Sequence, residues 1–177
     1  MKIRFYNARI LPLDDATPLF TGELVVDGSQ IAALGADCST LGPFDREIDC
    51  GENLLLPGFK SVHTHSGMTF LRSLADDLPL QRWLEEQVFP KEAQLTPEHV
   101  YVLTKLAILE YLTSGVTMMF DMYFSRESVA AAAIDTGFRA ALVGCANDFG
   151  GTAAETAEEY AHFSKLDPLI AYRLGFH

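Results

Sequence analysis

The chain has 177 residues, 49% of them hydrophobic and 21% charged, a balance that excludes a disordered polypeptide and supplies a sizeable core. Its formal net charge of -11 opposes binding to nucleic acid or to an anionic membrane surface. No apolar run has the length of a transmembrane helix, Met1 to Arg9 does not read as a secretory signal, and Cys38, Cys50 and Cys145 are too widely spaced for a disulfide framework or a CxxC knuckle, so a cytoplasmic protein is expected.

Residues 1–57 read as short strands. Lys2 to Asn7 alternates in polarity, Gly22 to Leu34 carries Asp27-Gly28 between apolar pairs as a hairpin signal, and Arg46 to Cys50 can form a further strand. Such a β region is too small to bury a good core alone. From Leu54 onward the period changes, and strands alternate with helical patterns. Phe59 to His63 reads as a short apolar strand and Leu80 to Val88 as helical. Thr96 caps a helix that has Pro97 at its first position and ends at Gly115. Val116 to Met122 is expected as a buried strand, Ser125 to Thr136 as a helix ended by Gly137, and Phe138 to Cys145 as another buried strand. Thr152 to Leu166 reads as a helix and Leu169 to Phe176 as a fourth strand.

The alternation implies an α/β fold with a parallel sheet, either open and doubly wound or part of a closed barrel. No G-x-G-x-x-G follows the first of these strands, which weighs against a dinucleotide-binding fold. A complete (β/α)8 barrel needs roughly 250 residues, and four strand–helix units make half of one.

The sharpest chemical feature is His63-Thr64-His65, placed directly after Leu56-Pro57-Gly58-Phe59. Side chains two apart on a strand share a face, so both imidazoles can reach one metal ion from the C-terminal end of the first strand. The alternative is a pair of core or capping histidines.

The run from Leu54 to Leu78, LLLPGFKSVHTHSGMTFLRSLADDL, resembles the first barrel strand and following loop of the amidohydrolase superfamily. Within it, the sequence looks like the branch of S-adenosylhomocysteine and methylthioadenosine deaminases and triazine chlorohydrolases. Trp83-Leu84, Phe89-Pro90-Lys91-Glu92, the helix from Thr96, and Ser114 to Phe124 continue the likeness across essentially the whole chain. The resemblance implies the N-terminal half of a TIM (β/α)8 barrel over 58–177, preceded by part of a small β-sandwich over 1–57.

It also implies a metal-dependent aminohydrolase that deaminates a purine nucleoside, such as adenosine, methylthioadenosine or S-adenosylhomocysteine, or a similar amino-heterocycle. The alternatives are a chlorohydrolase or guanine-type deaminase using the same site, and a catalytically incompetent or non-enzymatic domain. By the resemblance, His63 and His65 are ligands of one divalent metal, zinc or iron, while Trp83, Glu92 and His177 contact substrate. The general acid and base and the remaining ligands belong to later strands, so no catalytic residue is expected within this stretch, and little or no metal is expected on it alone. The partners implied are a small-molecule substrate, the remainder of the same polypeptide and, for the intact enzyme, further copies of itself.

Asp121 ends the second barrel strand, where a structural hydrogen-bond role is expected. Asp76 and Asp77 read as solvated or capping, His99 and His162 as surface residues, and Met68, Met118, Met119 and Met122 as packing. One departure stands out. Relatives that bind S-adenosylhomocysteine can use arginines after the third strand, but Gly144 to Gly151 has none, and Arg139 lies at the strand's other end. A neutral nucleoside or another amino-heterocycle fits at least as well.

Overall fold

The computed structural model describes residues 1–145 and 151–175. It divides into two compact units, Met1–Pro57 and Gly58–His177.

The first unit is a five-stranded sheet. Strand β1 (Lys2–Ile10) pairs antiparallel with β2 (Phe20–Asp27), which pairs antiparallel with β3 (Gln30–Gly35). On its other edge β1 runs parallel to β4 (Arg46–Asp49) and, further along, to β5 (Leu54–Leu55). The hairpin is present, but Asp27 pairs with Gln30, so its turn is Gly28-Ser29 rather than Asp27-Gly28. The buried strand residues Ala8, Ile10 and Val25 are small in number. Polar contacts assist them: Arg4 bridges Glu23 at 2.5 Å and Glu47 at 2.7 Å, and the second Glu23 oxygen accepts from the Cys38 amide at 2.7 Å.

The second unit is a strand–helix series. Four strands, β6 (Phe59–Thr64), β7 (Val116–Asp121), β8 (Arg139–Cys145) and β9 (Ile170–Gly175), lie side by side in chain order and all run parallel. Between β6 and β7 come a 3₁₀ turn (Ser66–Leu71) and a helical stretch made of α1 (Leu80–Trp83), one π-helical turn (Leu84–Val88) and α2 (Phe89–Glu92). The helical pattern therefore continues through Pro90, which lies in the first turn of α2 directly after the π-helical turn. Then follow α3 (Pro97–Thr113), α4 (Arg126–Thr136) after β7, and α5 (Ala153–Phe163) after β8.

The caps explain where the helices start and stop. Thr96 accepts the His99 amide and His99 Nδ1 accepts the Thr96 amide, so a histidine fills the reciprocal role usually taken by glutamate. Thr152 and Glu155 form the same box at α5. Gly115 and Gly137 follow α3 and α4 with φ of +77° and +68°, a conformation that side chains with a Cβ disfavour.

The core of this unit lies between the sheet and its helices. It is built from Val100 and Ile108 of α3, Val129, Ala130 and Ala133 of α4, Phe163 of α5, and Met119, Leu142 and Tyr172 of the strands. Strand β8 is buried at Ala140 to Val143, as its apolar run requires. Strand β7 is not buried throughout as expected: Met119 and Asp121 are buried, while Thr117 is exposed. Phe59 to His63 forms the expected short strand, with Phe59 57% and Val62 78% exposed. Strand β6 pairs only with β7 among the described residues, so one edge of it has no neighbour to cover it. This order, all parallel with helical segments after each of the first three strands, is the first half of a (β/α)8 barrel preceded by a small β domain.

Candidate metal centre

The C-terminal end of β6 carries the histidine pair. His63 and His65 lie on one face with ring centroids 4.9 Å apart and planes at 86°, edge to face. His63 is exposed and His65 half-buried. The ring Nδ1 of His65 lies 2.5 Å from the Met122 carbonyl oxygen, just beyond β7. A carbonyl oxygen can only accept, so Nδ1 is the nitrogen that carries a proton in this contact. Fixing one ring nitrogen to a carbonyl is how ligating histidines have their tautomer and orientation set.

Strand β7 supports this end through its last residue. Asp121 is 1% exposed, and its Oδ2 accepts the Ser66 amide at 2.7 Å. Its Oδ1 has no hydrogen-bond partner among the described residues. Burial pushes the Asp121 carboxyl pKa upward, against the opposing pull of the Ser66 hydrogen bonds and of His65. Asp121 thus takes the hydrogen-bonding role expected of it, anchoring the backbone immediately after His65. Thr64 and Ser66, on either side of His65, both hydrogen-bond the Tyr111 hydroxyl on α3.

His65, Ser66, Met68, Trp83 and Tyr111 line one cleft of about 310 Å³, so Trp83 and His65 face a common space. Trp83 is half-buried, and its Nε1 donates to the Leu74 carbonyl at 3.3 Å. Glu92, at the end of α2, accepts the Tyr123 hydroxyl at 2.7 Å, which ties α2 to the loop after β7. Burial first, and then Glu92, raise the Tyr123 phenol pKa far above its ordinary value. The Tyr123 ring packs against Gly67, where a Cβ would come within 2.1 Å of Cε1; only glycine fits there.

His177 lies outside the described residues, as do 146–150 within the arginine-free stretch after β8. Asp76 and Asp77 are exposed. His99 and His162 are surface residues, the first capping α3 and the second paired with Glu127 at 2.7 Å. Among the described residues no group of three or more His, Cys, Asp or Glu side chains is arranged to hold a metal ion; the pair on β6 supplies two nitrogens. Sequence reasoning missed Tyr111 and Tyr123. Nothing local marks either, because each acts on residues 31 to 47 positions away.

Comparison with known proteins agrees with this architecture. The model of the Amidohydrolase family matches residues 54–171. The chain is 38% identical, over its whole length, to a 5-methylthioadenosine/S-adenosylhomocysteine deaminase of Syntrophomonas wolfei, of which it covers 42%. Over 86% of its length it is 39% identical to a 5'-deoxyadenosine deaminase of Methanobrevibacter smithii, covering 36% of that protein. Among solved structures, an adenosine deaminase from Xanthomonas campestris with bound zinc superposes with a TM-score of 0.84 at 30% identity, over 99% of this chain and 42% of that one. The chain thus spans about two fifths of the length of such relatives. With four parallel strands, a helix after each of the first three, and a paired-histidine motif ending the first of them, the chain belongs to the amidohydrolase family.

Proposed function

We propose that the chain is the N-terminal portion of an aminohydrolase that removes the amino group of an adenosine-type nucleoside, or of a similar amino-heterocycle, at a divalent metal. The observation that carries this reading is the imidazole pair, 4.9 Å between centroids, with the proton of His65 committed to the Met122 carbonyl. Two imidazoles on one face suit zinc, and the similar adenosine deaminase of X. campestris contains it; iron is the second choice for such a donor set.

When bound, the cation supplies activation of a water molecule for attack on the ring carbon that bears the amino group. The chain's own residues do the holding. His63 and His65 provide ligand nitrogens, and Asp121 and Met122 keep the His65 loop in place. Trp83 offers an aromatic wall to the cleft it shares with His65. Glu92 spends Oε1 on Tyr123 and has Oε2 to accept from the hydroxyls of a ribose. His177 is assigned to substrate contact by its likeness to the family's sequence alone. The remaining ligands and the acid that protonates the leaving ammonia belong to the rest of the polypeptide. The arginine-free stretch Gly144 to Gly151 favours a neutral nucleoside over one bearing an amino-acid carboxylate. The two thiols described, Cys38 and Cys50, are free, which suits the reducing cytoplasm.

Replacing His63 by Ala in the intact enzyme should abolish bound metal and ammonia release together, read by elemental analysis and a coupled ammonia assay. Full turnover in His63→Ala protein would overturn the ligand role. A substrate panel separates the leaving groups: ammonia from nucleosides supports the reading, and chloride from a chlorotriazine without nucleoside turnover contradicts it.

A further inference from the structure

We propose that Tyr111 is a positioning residue for the metal centre, setting the β6 terminus through a chain of hydroxyls behind the histidine pair; the inference rests on His63 and His65 being ligands. Alternation along β6 turns Thr64 away from the face that carries the two imidazoles, toward α3. There its hydroxyl hydrogen-bonds the Tyr111 hydroxyl. The same phenol lies 3.1 Å from Ser66 Oγ. Ser66 Oγ also reaches Met119 Sδ at 3.3 Å, so the Ser66 hydroxyl has partners on both α3 and β7. A single side chain therefore holds both neighbours of His65.

The phenol is itself well fixed. Its ring stacks on Phe138, centroids 5.9 Å apart, and packs against the buried core. With Ser66 N–H on Asp121 and His65 Nδ1 on Met122 O, the segment 64–66 is held from α3 on one side and from the end of β7 on the other. The His65 ring has little freedom to leave its position beside His63. Contacts of this outer kind contribute about 10- to 100-fold to metal affinity in other metalloproteins.

The test is zinc affinity of the intact enzyme, measured by competition with a chromophoric chelator, alongside the thermal midpoint of the metal-free protein. Tyr111→Phe and Thr64→Val should each weaken zinc binding about tenfold. The double variant should be no weaker than the weaker single variant, since both break one chain of hydroxyls. Thr64→Ser, which keeps the hydroxyl, should bind like the parent. Unchanged zinc affinity in Tyr111→Phe, with or without a lowered midpoint, would overturn the positioning role. His63→Ala distinguishes the two levels of the argument. If it too binds zinc normally, the ligand assignment fails; if it loses zinc while Tyr111→Phe does not, only the role of Tyr111 falls.

Discussion

Individual side chains in this molecule do their work by where they place each hydrogen bond. His65 gives its Nδ1 proton to Met122 O, and that contact decides which nitrogen faces outward. Glu23 shows the same economy in the first unit, where its two oxygens take the Arg4 guanidinium and the Cys38 amide. The Arg4 hydrogen bonds are the main cause holding the Glu23 carboxyl below its ordinary pKa, with burial opposing; Glu47 and Asp37 are the other charges nearby. A depressed folded pKa means stability that is present above the ordinary carboxylate range and is lost as pH falls through the folded value. Glu23→Gln should therefore destabilise by about 2 kcal/mol at pH 7, and its difference from the parent should shrink on acidification below about pH 4. Thermal melts of both proteins across that range check this; a difference that grows on acidification would contradict it. At this scale the histidine pair was legible, because i, i+2 spacing on a strand fixes a shared face. Tyr111 and Tyr123 were not, because their partners are set by tertiary packing between distant segments.

Elements were legible where their ends carry chemistry. Thr96-Pro97, Gly115, Gly137 and Thr152 each mark a boundary found in the structure, since caps act through neighbouring backbone amides and carbonyls. Thr96→Ala should cost about 1 kcal/mol of stability, seen as a lowered denaturation midpoint. His99→Ala should leave the Thr96 side-chain bond in place and cost less, because only the reciprocal half of the box is lost. What local signals could not reveal is how far each strand is covered. The apolar run of β7 suggested a buried strand, yet Thr117 is exposed. The parallel pairing of β4 and β5 with β1 was likewise invisible, as parallel partners come from distant stretches with no turn to announce them.

For the molecule as a whole, the four parallel strands gather their C-terminal ends on one side, and His65, Asp121 and Tyr123 all lie at or just past such ends. That common edge makes one site from residues far apart in sequence. The outer face of α3 tells a second story: Val102, Leu106, Leu109 and Leu112 recur at helical spacing and are all 45–58% exposed. An apolar stripe of this kind is unusual on the surface of a free-standing protein. It fits a chain spanning 42% of its relative's length.

Zinc K-edge X-ray absorption on the intact, zinc-loaded enzyme tests the central claim most directly. The account predicts an imidazole-rich shell in the parent protein, and loss of both the bound zinc and that shell when His63 and His65 are together replaced by Ala. An unchanged spectrum with full zinc occupancy in the double variant would show that the metal is held elsewhere.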